Sequence, residues 1–148
     1  MLIGVISDTH GTLPPSVAAA FRGVDRILHA GDVGSETVLD ELATIAPVVA
    51  VSGNTDVGPL DWRLPGAATI ACCGLRVHMT HRPQDVPKGL DADVVVTGHT
   101  HRALVAHRDG VLHVNPGPAG AAARDGRGPT VALLDCAARP VTARIVEL

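Results

Sequence analysis

Residues 2–7 read LIGVIS, residues 25–30 read DRILHA and residues 47–52 read PVVAVS, and these three apolar runs decide the fold. Each run is short and rich in Val, Ile and Leu, which is typical of buried β-strands. Two helices are predicted between them, PSVAAAFR at 15–22 and SETVLDELATIA, which begins at the plausible N-cap Ser35. This strand–helix–strand–helix–strand order predicts a parallel sheet with right-handed crossovers.

The second half of the chain predicts more strands and fewer helices. Residues 67–73 and 75–80 form a predicted hairpin that turns near Cys73, and residues 93–97 form another buried strand. Four more short strands follow with Gly or Pro between them, which favours a meander: ALVAHRD, VLHVN, TVALLDC and VTARIVEL. We therefore expect an α/β fold of two mixed sheets packed face to face, with few helices outside, in a single domain over residues 1–148.

Composition narrows the class of protein. The chain of 148 residues has a net charge of −3, so the basic stripe of a dedicated nucleic-acid binder is absent and no stable nucleic-acid complex is expected. Three cysteines without regular spacing argue against a disulfide framework or a thiolate zinc site. The opening MLIGVIS has no basic residue and is too short for a signal peptide or a membrane span, so we expect a cytoplasmic protein without a membrane partner. The Gly-rich stretch 117–129 predicts a mobile loop.

Polar side chains collect where the predicted strands end. In a parallel sheet the carboxyl ends of the strands share one edge, and ligands bind at that edge. Carboxylate, amide and imidazole donors without thiolate suit divalent Mn, Fe, Zn, Ni or Co. Seven donors are too many for one four-coordinate ion, but they suit two ions about 3.5–4 Å apart, which can clamp both reacting oxygens of a displacement at phosphorus. The donors are Asp8, His10, Asp32, Asn54, His81, His99 and His101.

The same residues belong to a motif of five parts. In this order and spacing, which cover residues 3–117, the chain resembles the calcineurin-like metallophosphoesterases. It is most similar to their small YfcE-like phosphodiesterase branch, which is related to the retromer small subunit. The resemblance implies a four-layer sandwich in which helices flank the two sheets and the metal site lies at the strand carboxyl ends. The motif reads DTH at 8–10, GD at 31–32, GNTD at 53–56, TH at 80–81 and GHTH at 98–101, and NPG follows at 115–117.

The resemblance also implies a chemistry. A small phosphodiester is the expected substrate, and a hydroxide that bridges two divalent ions is the expected nucleophile. Manganese is the first choice of ion, although the same donors accept Fe, Ni, Zn or Co. Small members of the family are often dimers or tetramers, so a homo-oligomer is an open expectation. The implied roles are Asp8, His10 and His101 on the first ion, Asn54, His81 and His99 on the second, Asp32 as the bridge, and Asp32, Asn54 and His99 as catalytic residues.

Three departures from the family pattern concern catalysis and specificity. Thr55 stands where the faster phosphatases of the superfamily place a histidine that assists the leaving group, which predicts modest catalysis. The branch usually reads T-H-G-H after the hairpin, whereas this chain continues from His81 into Arg82-Pro83. The family usually has a helix next, but residues 82–92 are too short and Pro-rich for more than one turn, so we expect a more open site there.

Several other polar residues have a structural and a functional interpretation. His29 is expected to support the site rather than to bind a ligand, and Asp56 is expected either to orient a ligand or to stabilise its turn. Trp62 either lines the mouth of the site or packs its own loop. His78, His107 and His113 lie in predicted strands and receive no functional role. Four arginines are candidates to meet substrate phosphate, since a guanidinium matches phosphate oxygens; they are Arg82, Arg102, Arg124 and Arg127.

Two other functions remain open on the sequence alone. The first is a protein-docking scaffold that keeps its ligands without catalysis, as the retromer relative suggests, although a scaffold has no chemical need for a complete ligand set. The second is a nuclease on short nucleic acid, which the weak positive charge disfavours because phosphate contacts come mainly from Lys and Arg.

Overall fold

The computed structural model describes residues 1–120, 126 and 128–148. Part of the stretch 117–129, for which we expected a mobile loop, therefore lies outside the described residues, and so do Arg124 and Arg127. Within the described part, ten strands form two five-stranded sheets. The predicted class, two mixed sheets with few helices, is confirmed.

The first sheet has the strand order β10-β9-β1-β2-β3. Its three parallel strands come from the opening strand–helix–strand–helix–strand segment, as predicted. The antiparallel strand β9 pairs with β1 and with β10 on its other side. The strands are β1 (Leu2–Ile6), β2 (Arg26–His29), β3 (Val48–Ala50), β9 (Thr130–Asp135) and β10 (Thr142–Glu147).

The second sheet has the strand order β4-β5-β6-β8-β7. β4 and β5 form the predicted hairpin, and Cys73 at its turn has a positive φ of 51°. β5, β6 and β8 are parallel, so their carboxyl ends share one edge. The strands are β4 (Ala67–Cys72), β5 (Leu75–Thr80), β6 (Val94–Val96), β7 (Leu104–Arg108) and β8 (Val111–Asn115).

The predicted meander of the last four strands is wrong. β7 pairs with β8 in the second sheet, whereas β9 pairs with β10 in the first, so the chain changes sheets between Asn115 and Thr130. The reason is burial: residues 130–134 of β9 are all buried, on both faces of the strand. A strand that is apolar on both faces is stable only where both faces are covered, and the position between β1 and β10 provides this.

Two hydrophobic cores cover the faces of the first sheet. Ile3 and Leu28 point toward the second sheet and pack with Met79 and Val114. The opposite face packs against the helices, where Phe21 is fully buried. The α-helices are α1 (Ser16–Ala20), α2 (Glu36–Ala43) and α3 (Pro59–Arg63), of which α3 was not predicted.

Two local predictions about helices are confirmed. The hydroxyl of Ser35 accepts a hydrogen bond from the backbone N–H of Thr37 at 3.2 Å and so caps α2. Between β5 and β6 the described helical structure is a single 3₁₀ turn, Pro83–Asp85, as expected for this short and Pro-rich segment. In the part of the chain that the structure describes, no helix is long and apolar enough to cross a membrane.

Candidate metal centre

The predicted ligands lie at the carboxyl ends of strands from both sheets. Asp8 and Asp32 follow β1 and β2 of the first sheet, and His81 follows β5 of the second. Donor atoms of Asp8, His10 and His101 lie within 4.8 Å of one another, and so do those of Asp8, Asp32 and His81. Asp8 belongs to both groups, so the two groups adjoin.

One oxygen of Asp32 faces a histidine from each half of the predicted site. Oδ2 lies 3.3 Å from Nε2 of His81 and 3.9 Å from Nε2 of His10. The other oxygen, Oδ1, accepts a hydrogen bond from the backbone N–H of Thr55 at 2.9 Å. The GNTD turn therefore fixes one oxygen of the Asp32 carboxylate, and the other oxygen faces both His10 and His81.

The remaining predicted ligands lie next to these groups. The ring of His99 meets that of His81 edge-on at a centroid distance of 5.2 Å. The rings of His10 and His101 are 5.6 Å apart. Asn54 is exposed and lines a small cavity of about 160 Å³ together with His81. The structure thus brings all seven predicted residues to one place.

The backbone of the site is strained. Left-handed φ angles occur at 54° in Asp8, 48° in His10, 52° in Asp32, 66° in His99 and 54° in His101. Each such residue other than glycine costs about 1 kcal/mol, and such residues cluster at functional sites. Backbone hydrogen bonds hold the conformation, for example from the N–H of His10 to the carbonyl of Asp32 at 3.0 Å.

Two buried donor atoms of the site have no hydrogen-bond partner among the described residues, Oδ1 of Asp8 and Nε2 of His81. Nδ1 of His81 lies 2.7 Å from the carbonyl oxygen of Ala30, so it carries the proton of the neutral ring. Nε2 then directs a lone pair at the Asp32 carboxylate, and two electron-rich atoms face each other. A cation between them satisfies both, and such an oriented histidine is typical of metal ligands. The residues present therefore fit divalent metal.

The pKa shifts of His81 and Asp32 agree with this arrangement. Burial alone lowers the pKa of His81, but the Asp32 carboxylate and the Ala30 carbonyl outweigh it and raise the pKa above the ordinary value. Burial alone raises the pKa of Asp32, but the interactions with His81 and with the Thr55 N–H hold it well below its usual range. A proton on Nε2 of His81 and a metal ion therefore compete for the same place, so metal binding at His81 depends on pH.

Comparison with known proteins identifies the family of the chain. The sequence model of the calcineurin-like phosphoesterase superfamily domain matches residues 1–139. The chain belongs to the calcineurin-like phosphoesterase superfamily. A probable metallophosphoesterase from Methanothermobacter thermautotrophicus is 38% identical over 133 residues, which cover 79% of this chain and 76% of the relative. Membership of this family therefore supports a phosphoesterase activity that depends on divalent metal.

Solved structures confirm the fold. An archaeal phosphodiesterase matches this phosphoesterase with a TM-score of 0.83 at 28% identity, and the match covers 100% of both chains. A mutant of Vps29 from Entamoeba histolytica matches with a TM-score of 0.78 at 23% identity, over 100% of this chain and 99% of the other.

Asp56 connects two turns that carry predicted ligands; stabilisation of its own turn was one of its two expected roles, whereas contact with a second turn was not expected. Its carboxylate accepts backbone N–H bonds from Val33 at 3.2 Å, Gly34 at 2.8 Å and Gly53 at 2.8 Å. The first two donors directly follow Asp32. Asp56 therefore fixes the Asp32 turn to the GNTD turn, and the sequence signal was only the single Asp that ends GNTD.

Asn115 plays the corresponding role in the second sheet. Its side-chain N–H donors reach the carbonyl of Gly98 at 2.7 Å and the hydroxyl of Thr100 at 3.1 Å. Its side-chain oxygen accepts the N–H of Gly117 at 3.0 Å. The NPG motif thus holds the GHTH turn in place.

His29 supports the site, as expected, and is not among the grouped donors. Its Nε2 lies 2.9 Å from the hydroxyl of Thr9, and that hydroxyl donates to the carbonyl of Val33 at 2.9 Å. Burial lowers the pKa of His29 to about 4, so the ring is neutral at pH 7. The contact joins the DTH turn to the turn that carries Asp32.

The predicted substrate-binding residues differ in their placement. Arg82 lines the same 160 Å³ cavity as Asn54 and donates from Nε to Asp85 at 2.9 Å. Trp62 is 83% exposed, so the expectation that it packs its own loop is not met. Trp62 does not line either of the two cavities found among the described residues.

Proposed function

We propose that this protein is a dinuclear metal-dependent phosphodiesterase that hydrolyses a small phosphodiester. The observation that carries the proposal is the pair of unsatisfied buried atoms, Oδ1 of Asp8 and Nε2 of His81, beside the Asp32 carboxylate. Buried polar atoms are almost always satisfied, and a divalent cation between Nε2 of His81 and Oδ2 of Asp32 would satisfy His81. Oδ1 of Asp8 lies 3.3 Å from Nε2 of His101, and a second cation there would satisfy Asp8 in the same way. The archaeal phosphodiesterase that shares the fold supports diester hydrolysis.

The ligand assignment extends the observed grouping. Asp32 would serve both ions because its Oδ2 faces one histidine from each half. Imidazole and carboxylate donors accept several divalent ions, and manganese is our first choice. We assign Asp8, His10 and His101 to one ion and Asn54, His81 and His99 to the other.

The residues of the chain prepare this chemistry in specific ways. Bound divalent ions supply Lewis acidity, which lowers the pKa of water and neutralises charge on phosphate oxygens. The Thr55 N–H fixes one Asp32 oxygen so that the other faces the site. The backbone N–H of His99 fixes Oδ2 of Asp8 at 3.1 Å in the same manner. Preorganised ligands of this kind lower the reorganisation that binding and reaction require.

Substrate contacts outside the metal ligands are assigned from position. Arg82 shares the cavity of Asn54, and we assign its guanidinium to a non-bridging phosphate oxygen, which it would bind beside its present partner Asp85. Trp62 is exposed, so its indole is free to stack on an aryl or base group of the substrate. Thr55 is exposed and carries no acid, so the leaving alkoxide would take its proton from water.

The decisive experiment compares bis-p-nitrophenyl phosphate with p-nitrophenyl phosphate, in Mn²⁺ and in chelator. We expect diester turnover that requires metal and that Asp32→Asn abolishes. Asp40→Asn is the matched control because Asp40 is exposed on α2. Full activity of Asp32→Asn, or equal turnover in chelator, contradicts the proposal.

A scaffold function is the second candidate. The fold of Vps29 favours it, and so does the exposure of Val57 at 75% and Trp62 at 83% on the segment after GNTD. Both side chains are apolar and belong to one short segment, and exposed apolar surface of this kind is a feature of interaction sites. Bound metal without turnover of any diester would support the scaffold over the enzyme.

A further inference from the structure

A large cavity adjoins the candidate metal centre on the outer face of the second sheet. Its volume is about 960 Å³, and its lining includes His99, Leu104 and His113. His113 alternates along β8 with Leu112 and Val114, which pack in the core between the sheets, so the cavity lies on the opposite face. We call this cavity the outer groove. Because His99 contributes to it, the groove opens onto the metal centre.

The short segment after His81 explains why the groove exists. Pro83 and Val86 of this segment also line the groove. A helix is about 10 Å across and would occupy such a volume on the sheet. In this chain the segment forms only the 3₁₀ turn Pro83–Asp85, so the face remains open.

The charge of the groove is unlike that of the whole protein. Among the residues that the structure describes, its lining includes Arg102 and Arg108 and no Asp or Glu, although the chain has a net charge of −3. Within the described residues, neither arginine has a carboxylate within 4.0 Å, whereas Arg63, Arg76 and Arg82 each form an ion pair. Asp109 neighbours Arg108 in the chain but is not among the lining residues, so the lining itself has an excess of positive charge, which raises the local concentration of anionic ligands.

The two arginines lie at different distances from the metal centre along the chain. Arg102 directly follows the predicted ligand His101, and Arg108 ends β7. Arg108 lies four residue steps along the strand from Leu104, which corresponds to about 13 Å. The groove is therefore lined by one arginine that is next in sequence to a predicted metal ligand and by a second one at the far end of β7. The lining contains no Phe, Tyr or Trp, so a stacking platform for bases is absent from it.

We propose that the outer groove binds the part of a phosphodiester substrate that carries a second phosphate group, with Arg108 as the remote phosphate contact. This inference rests on the proposed function and adds a substrate class to it. The scissile diester lies at the metal centre, and the second phosphate extends along β7. Guanidinium–phosphate pairs are charge-assisted and bidentate, so they favour phosphate over a neutral end group.

The kinetic test uses the thymidine dinucleotide TpT and its two singly end-phosphorylated forms, pTpT and TpTp. We expect kcat/KM for at least one phosphorylated form to exceed that for TpT by about fivefold or more. Arg108→Gln should bring this ratio close to one. Arg144→Gln is the matched control, because Arg144 is exposed on β10 of the other sheet, and it should preserve the ratio. Equal kcat/KM for all three dinucleotides, or a preference that Arg108→Gln leaves intact, overturns the inference.

A binding test separates this inference from the proposed function. Titration calorimetry of the chelator-treated protein with pTpT and TpTp requires no turnover, and the tighter ligand should bind about fivefold more weakly to Arg108→Gln. Absence of bis-p-nitrophenyl phosphate turnover in the wild type would reject the proposed function while leaving this result intact. Diester turnover without any discrimination by terminal phosphate would reject the inference alone.

Discussion

Oδ2 of Asp32 lies 3.3 Å from Nε2 of His81, and Nδ1 of His81 is committed to the carbonyl of Ala30. Asp32 follows β2 in the first sheet, whereas His81 follows β5 in the second. The pair therefore forms only when the two sheets pack against each other. Metal affinity, sheet packing and protonation of the site are linked through this single contact.

Metal should stabilise the wild-type protein and stabilise a His81 variant less. A ligand at a hundredfold excess over its dissociation constant contributes about 2.7 kcal/mol, which corresponds to a rise of about 5 °C or more in Tm. His81→Gln should lose about half of this rise, since one of the two proposed ions would lose a ligand. Differential scanning fluorimetry with and without Mn²⁺ measures both shifts. His107→Gln, at an exposed position of β7, should keep the full rise.

A methyl group at Gly53 should displace Asp32. A Cβ built on Gly53 would overlap both Oδ1 and the backbone N of Asp32, and both atoms belong to a fixed turn. We expect Gly53→Ala to weaken Mn²⁺ binding at least about tenfold, in line with the loss seen when groups that orient metal ligands are removed. Gly128→Ala is the control, since a Cβ there meets no described atom within 4 Å. Isothermal titration that gives equal affinity for both variants would contradict the role of Gly53.

Removal of one Asp56 oxygen should loosen the connection between the two ligand-bearing turns. Asp56 is 5% exposed and accepts three backbone N–H bonds, and Asn in its place would turn an amide N–H toward at least one of those donors. We expect Asp56→Asn to lower the free energy of unfolding by about 2–4 kcal/mol, because buried donors would lose their acceptor. Urea denaturation beside Asp40→Asn measures the difference. A loss below about 0.5 kcal/mol would show that the carboxylate is not required there.

The stability of the metal-free protein should fall as the pH falls from 7 to 5, in part through His29. The pKa of His29 is about 4 in the folded protein and 6.5 as the ordinary value, so only the unfolded chain takes up a proton in this interval. The free energy of unfolding then decreases by about 2 kcal/mol from this group. His81 acts with the opposite sign, because its raised pKa makes its contribution present at low pH and lost as the pH rises.

The contribution of His29 to the free energy of unfolding is therefore measured as a difference between the wild type and a His29 variant. Urea denaturation of the wild type and of His29→Gln at both pH values, in chelator, gives a change with pH for each. We expect the decrease in the wild type to exceed that in the variant by about 2 kcal/mol. Identical changes in both proteins would show that His29 does not titrate in the unfolded chain alone.

The sequence by itself determined the strands, the family and the candidate ligands. Short runs of Val, Ile and Leu that end at Asp, Asn or His require buried strands with polar turns, whatever the details of packing. The parallel order of β1, β2 and β3 follows from the helices between them. For this reason the pattern of strands and turns is enough to assign residues as distant as Asp8 and His101 to one site.

The tertiary structure alone decided how the second half of the chain is divided and how the site is held. β8 and β9 are both short apolar strands, and only the covered space beside β1 selects β9 for the first sheet. The three N–H bonds to Asp56 and the outer groove depend on which backbone atoms meet across turns and sheets. A one-dimensional pattern records which residues prefer burial, but it does not record which backbone groups remain to be satisfied after two sheets pack together.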